Sequence, residues 1–387
     1  MSPNRMEAWL EVEPSVRRML AHWPHALRPD ADTPLLPLGN AGGLSGARLW
    51  KFEGPHGPLV LKRWPDATPT ARELRNIHTH LFDAAARGFG AERLPLPFPD
   101  RSGRTVVQDP DTGSLWELTR WLPGQADHQR PPALAHLRAA FIALAQLHRL
   151  WETDLKGLVG HRRGVGVTLS RRIAELDQWR SVGFAALQSC LDRSELTRPP
   201  SQQEPDSTDP PPIITAEDHL THLDIVTLAR RWLEESRRLW ERARRSLERA
   251  SSIPTPLLFV WRDPRPDHIL FEQEMVTGLL DFGGAGIDSA AVDLARLLPE
   301  WTTNHPSARS EALAAYETIR PLQPSEQRVL EALELSGPIM LGGRWLSWWF
   351  LGAPPRSPAC LDPRRVLWGL RRALEGLEAV DTPRMIV

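Results

Sequence analysis

Two aspartates, Asp263 and Asp281, are the residues of this 387-residue chain whose setting best suits chemistry. Each closes an apolar run. Leu257–Val260 leads into Arg262-Asp263-Pro264-Arg265-Pro266-Asp267-His268, and Val276–Leu280 ends on Asp281-Phe282-Gly283. A further apolar run, Ile269–Phe271, and a turn at Glu272–Glu274 lie between them. Carboxylates at the ends of apolar strands face a cleft rather than a core. A pair of them suits the binding of a hard cation and the acceptance of a proton.

A cation and a flexible backbone lie upstream. Lys62 sits in Leu59-Val60-Leu61-Lys62-Arg63-Trp64, a strand whose apolar neighbours imply packing. A lysine reaching from a packed strand suits phosphate, although a solvated strand-edge lysine is the plainer alternative. Before it runs Gly39-Asn40-Ala41-Gly42-Gly43-Leu44-Ser45-Gly46. Its glycines Gly42, Gly43 and Gly46 would let backbone N–H groups approach phosphates, or would simply form a hairpin loop. No Gly-Lys-Ser/Thr follows, so the stretch is not a Walker P-loop.

The elements that must position these residues follow from patterning. Met6–Trp23 reads as an amphipathic helix within an N-terminal extension, residues 1–30. Strands are expected at Leu35–Leu38, Ala47–Phe52, Leu59–Trp64, Arg104–Gln108 and Leu115–Thr119, forming an antiparallel meander. One helix, Thr70–Arg87, interrupts them; Glu73 in its first turn is either a partner for Lys62 or an acid favoured by the helix dipole. A Pro-Gly hinge at Pro123-Gly124 ends a first lobe, residues 31–122.

The remainder, residues 123–387, is mostly helical and holds the acidic loops at 257–298. Leu134–Trp151 is a core helix carrying His148, Leu169–Leu191 another, and Ala216–Ala250 a long charged one. The last reads as a solvated face rather than a nucleic-acid surface, because its arginines alternate with acids. Helices are expected at Ser310–Arg320, Ser325–Leu335, Pro338–Phe350 and Pro363–Ala379. Residues 197–212, polar and proline-rich, read as a disordered insertion.

Bulk properties narrow the class. Net charge is -1 with a pI near 6.9, so no overall field draws the chain to nucleic acid or an anionic membrane. No apolar run reaches the roughly 20 residues that a membrane span needs, and no secretory leader is visible. Two cysteines, Cys190 and Cys360, make no disulfide framework, and the expected compartment is the cytoplasm.

The order of parts resembles the protein-kinase-like fold, an α+β architecture with a five-stranded sheet and a helical second lobe. Within it the chain is most similar to the aminoglycoside phosphotransferase-like branch, which also holds choline, homoserine and fructosamine kinase relatives. The resemblance covers roughly Leu35–Leu298. Its most specific parts are Val276-Thr-Gly-Leu-Leu-Asp281-Phe-Gly283, the following Ala290-Ala-Val-Asp293-Leu-Ala295, and Leu115–Gly124 with Leu144-Ala-Gln-Leu-His148. It implies Asp281 as a Mg²⁺ ligand, Asp263 as the acceptor of a substrate hydroxyl proton, and Lys62 as a phosphate clamp with Glu73 as its ion-pair partner. It also places Thr119 and Trp121, in the hinge, at the nucleotide.

The family's catalytic loop usually reads His-Gly-Asp-x-x-x-x-Asn. Here Trp261 stands for the histidine and His268 for the metal-binding asparagine. Imidazole is a poor Mg²⁺ ligand, so His268 could favour Mn²⁺, Asp267 could take the metal, or His268 could hold Asp263 without touching metal. The implied function is transfer of the ATP γ-phosphoryl group to a hydroxyl of a small molecule whose identity the residues do not reveal. The competing expectations are a pseudokinase scaffold and an interaction protein built on Ala216–Ala250.

Overall fold

Alternation of apolar and polar side chains builds the sheet from which the site hangs. In the computed structural model, the residues described are 14–39, 46–65, 69–152, 162–194, 216–355 and 358–381. The expected helix Met6–Trp23 falls partly outside them. Residues 14–20 are helical (α1), and the expected insertion at 197–212 also lies outside the described residues.

Five strands follow in one antiparallel sheet: β1 (Leu36–Gly39), β2 (Arg48–Gly54), β3 (Gly57–Arg63), β4 (Val107–Gln108) and β5 (Leu115–Arg120), in the order β1-β2-β3-β5-β4. A two-residue turn, Pro55-His56, joins β2 to β3, and Gly57 takes a positive φ there. Successive side chains of a strand point to opposite faces. One face therefore carries Trp50, Phe52, Leu59, Leu61, Trp116 and Leu118, with Trp50 and Trp116 stacked at 5.4 Å. Val16, Met19 and Leu20 of α1 complete this core together with Trp23. The other face carries Lys62, whose register partner on β5 is Glu117.

Helix α2 (Ala71–Ala84) covers that second face, since His78 Nε2 meets the Glu117 carboxylate at 2.9 Å. Helix α3 (Leu134–Trp151) buries Leu137, Phe141, Leu144, Leu147, His148 and Trp151, as a core helix must. A small antiparallel sheet, in the order β8-β7-β6, joins β6 (Gln125–Ala126), β7 (Ile269–Glu272) and β8 (Met275–Leu279).

The chain separates into two compact units, but not at the hinge expected after residue 122. Residues 1–159, 261–286 and 318–320 form one unit, so α3 and both acidic loops group with the sheet. Hydrogen bonding through β6 and β7 binds the segment after the hinge to the strand after Asp263.

The second unit is helical: α4 (Val167–Gln178), α5 (Phe184–Ser194), α6 (Ala216–Ser251), α7 (Ala291–Thr302), α8 (Pro306–Glu317), α9 (Pro324–Phe350) and α10 (Pro363–Asp381). A five-residue π turn, Trp179–Gly183, joins α4 to α5 without a break, so the helix expected at Leu169–Leu191 is present with one wide turn inside it. The two helices expected at Ser325–Leu335 and Pro338–Phe350 form a single helix instead. Pro338 has no N–H for the Glu334 carbonyl one turn back, and the helix runs on through it; Arg172 donates to the neighbouring Leu333 carbonyl at 2.8 Å. The arginines of α6 meet acids of the same unit: Arg244 bonds Asp177 at 2.6 Å, Arg238 bonds Asp381 at 2.9 Å, and Arg231 pairs with Glu378.

Tryptophans fill this unit's core against glycines. A Cβ at Gly342 would fall 2.1 Å from the Trp232 indole, and one at Gly343 would fall 2.8 Å from Trp179. Trp232 and Trp179 themselves meet edge to face at 5.1 Å. Neither indole ring has a free end by which to yield. Gly342→Ala is therefore expected to destabilise the protein by at least about 1–3 kcal/mol, read from urea unfolding midpoints.

Candidate active site

β3 delivers Lys62 to the face away from the sheet core. Its Nζ lies 3.2 Å from Asp281 Oδ1 and 3.5 Å from the centre of the Trp64 ring. Trp64 sits two residues further on, so the pleat places it on the same face. The indole also lies against Gly283, where a Cβ would approach it to 2.6 Å. The lysine strand and the Asp281 loop are thus packed together through the one ring.

Asp281 adopts a left-handed φ of +58°, which aspartate tolerates better than most residues. Trp261, fully buried, donates its indole N–H to the Asp281 carbonyl at 3.0 Å and stacks on Phe282 at 4.8 Å. The Lys62 ammonium drives the Asp281 carboxyl down to about 2; burial opposes this, and His268 and the Lys62 hydrogen bond reinforce it.

The other acidic loop is equally tied down. A short turn, Pro266–His268, follows Arg262 (φ +69°) and Asp263. His268 donates from Nδ1 to the Asp263 carbonyl at 3.0 Å, and its Nε2 lies 3.8 Å from Asp281 Oδ2. Asp263 itself is exposed. The Asp267 carboxylate accepts from Arg265 at 2.9 Å. Burial pushes its pKa up, but the charges of His268 and Arg265 outweigh that, and it stays below the ordinary carboxylate value.

Of the residues singled out in the sequence, the structure brings Lys62, Asp281, His268 and the Asp263 backbone into one cluster. Glu73 is engaged elsewhere. Its carboxylate accepts from the Thr70 N–H and hydroxyl, both at 2.8 Å, completing a capping box with the Glu73 N–H bonded to Thr70 Oγ1. These hydrogen bonds hold its pKa down. The acid sits at the helix start, as the second expectation had it, and there satisfies the Thr70 N–H that would otherwise lack a partner. Gly42 and Gly43 lie outside the described residues, and Gly46 takes a φ of +78° just before β2. Thr119 is buried on β5 opposite Val60, and the partly exposed Trp121 ring carries the Lys51 ammonium 4.4 Å from its centre.

Sequence reasoning gave no role to Trp64, and marked Trp261 only as a departure from the family's histidine. The first was available as the same-face neighbour of Lys62. No pattern in the sequence points an indole N–H at a backbone carbonyl 20 residues away.

The donor set fits a divalent cation, with a carboxylate oxygen and an imidazole nitrogen flanking one space. Among the described residues no group of three or more His, Cys, Asp or Glu forms a complete metal cage.

The fold and this cluster define a kinase-like phosphotransferase architecture. A solved spectinomycin phosphotransferase in complex with ADP and spectinomycin superposes with a TM-score of 0.61 at 10% identity, covering 95% of this chain and 98% of that one. The chain belongs to the phosphotransferase enzyme family, whose model matches residues 39–330. A homoserine kinase of Acidiphilium cryptum is 25% identical over 297 residues, 75% of this chain and 76% of that protein. A homoserine kinase of Polaromonas naphthalenivorans is 34% identical over 103 residues, 25% of this chain and only 32% of that protein's length.

The Lys62–Asp281 pair is partly open to solvent, with side-chain exposures of 15% and 41%. Lys62→Met should therefore cost no more than about 1 kcal/mol in stability. The same change should return the Asp281 carboxyl from about 2 toward the ordinary value near 3.9. Because the folded value is depressed, this stabilisation is present above about pH 4 and disappears as pH falls toward 2. Wild type and Lys62→Met should thus differ in urea midpoint at neutral pH and converge near pH 2. A carboxyl NMR titration reads the Asp281 shift directly.

Proposed function

We propose that this protein transfers the γ-phosphoryl group of ATP to a hydroxyl of a small molecule. The observation that carries the reading is the 3.2 Å contact of Lys62 with Asp281, which unites residues 219 positions apart in a family of phosphotransferases. In this reading the Lys62 ammonium holds the nucleotide phosphates, and Asp281 holds a divalent cation, Mg²⁺ or Mn²⁺. A bound cation supplies neutralisation of the charge on the phosphate oxygens. Asp263 takes the proton of the acceptor hydroxyl as its oxygen bonds to the γ-phosphorus, and ADP leaves with the electrons of the broken P–O bond. Thr119 and Trp121 of the hinge border the nucleotide base.

Phosphoryl transfer asks the protein mainly for position and electrostatics, and the cluster offers both. The relatives and the solved neighbour all carry enzyme names, which favours turnover over a scaffold role. Homoserine belongs among the acceptors to be tried, because two relatives are named for it. No helix among the described residues is long and apolar enough to cross a membrane, which suits a cytoplasmic enzyme acting on dissolved substrates.

Two measurements test the reading. ATP with a divalent cation at a hundredfold excess over its Kd should stabilise the fold by about 2.7 kcal/mol. Asp263→Asn should retain that binding and lose at least about a hundredfold in phosphoryl transfer across an acceptor library that includes homoserine. Turnover untouched by Asp263→Asn, or no stabilisation by ATP with either Mg²⁺ or Mn²⁺, would remove the proposal.

A further inference from the structure

The cluster contains a histidine where the resembled family carries an asparagine, and the structure shows which of its nitrogens is available. The Asp263 carbonyl can only accept, so His268 Nδ1 bears the proton that fills that 3.0 Å hydrogen bond. In the neutral ring Nε2 is then a lone pair. This arrangement, one ring N–H given to a backbone carbonyl and the opposite nitrogen left bare, is how histidines are oriented at metal sites.

Nε2 faces the right place. It stands 3.8 Å from Asp281 Oδ2, too far for a hydrogen bond. Two metal–ligand bonds of about 2.1 Å can bridge such a gap. The imidazole is also held from the side. Trp261 lies nearly parallel to it, at 30° and 6.3 Å, and is itself fixed by its bond to the Asp281 carbonyl. Asp267, the other nearby carboxylate, has its own guanidinium at 2.9 Å.

We infer that His268 Nε2 and Asp281 form a mixed nitrogen–oxygen site that selects a transition cation such as Mn²⁺ over Mg²⁺ in the presence of nucleotide. The inference rests on the phosphotransferase reading and adds the cation class. Mg²⁺ is small and hard, prefers an all-oxygen octahedron and gains little from imidazole. Manganese and its heavier neighbours accept imidazole nitrogen, with affinity rising along the series. With only two protein ligands the site needs phosphate oxygens to complete it, so selection appears when ADP or ATP is bound. The Asp263 carbonyl, which carries the Nδ1 bond, also links cation choice to the loop bearing the proposed proton acceptor.

The test uses the full chain with ADP, Mn²⁺ binding followed by electron paramagnetic resonance, and Mg²⁺ as competitor. Wild type should require at least about tenfold more Mg²⁺ to displace Mn²⁺ than His268→Asn requires. Pulsed spectra of the bound Mn²⁺ should show a nitrogen coupling that changes when the protein is made with ¹⁵N-histidine. That second readout needs no variant and separates imidazole from adenine nitrogen. Mn²⁺ bound with ADP but insensitive to ¹⁵N-histidine, with equal Mg²⁺ competition in both proteins, overturns the inference and leaves the kinase reading standing. No ADP-dependent binding of either cation by wild type overturns both.

Discussion

The contact between Lys62 and Asp281 is the constraint on which the first unit is arranged. A cation on a strand and a carboxylate on a loop meet only if the sheet, α2, α3 and the segment 261–286 are all in place. Each partner is braced by an indole. Trp64 sits under the ammonium, and Trp261 holds the backbone of the aspartate. The pair adds little to global stability, because both side chains keep exposed surface. Its value is electrostatic. Asp281 stays ionised throughout the physiological range, and the lysine stays beside it without a conformational search.

The second unit solves a different problem, the packing of bulky rings between long helices. Removing Cβ atoms at Gly342, Gly343 and Gly369 leaves recesses for Trp232, Trp179 and Trp345. Helix α9 continues through Pro338, and just before it the half-buried Arg172 donates to the carbonyl of Leu333. Burial and the neighbouring Arg344 charge lower the pKa of that guanidinium to about 10, still far above neutrality, so the donor remains charged. Gly342 and Gly343 of α9 and Gly369 of α10 are thus sites of close packing.

Short-range periodicity made most of the elements legible. The strand alternation, the turn glycines and the apolar runs before Asp263 and Asp281 are local signals, and the five-stranded antiparallel sheet follows from them. What was not legible depended on contacts distant in sequence or on competing local roles. Glu73 read equally as a partner for Lys62 or as an acid favoured by the helix dipole, and in the structure it closes a capping box with Thr70. A proline ordinarily ends or starts a helix, so Pro338 read as a boundary, yet the helix runs unbroken from Pro324 to Phe350. The division of the chain into units was hidden because β6 and β7 pair across more than a hundred residues of intervening sequence.

The left-handed backbone of Asp281 has an evolutionary consequence. Few side chains accept a φ of +58°, and asparagine is one of them. A single-base exchange from an aspartate codon to an asparagine codon would therefore keep the loop, the Trp261 hydrogen bond and the fold, while erasing the charge. Selection acting on folding alone would register only the small contribution of the Lys62 pair. If Asp281 holds the cation of the proposed reaction, a lineage relieved of that chemistry could leave it by one silent-looking step.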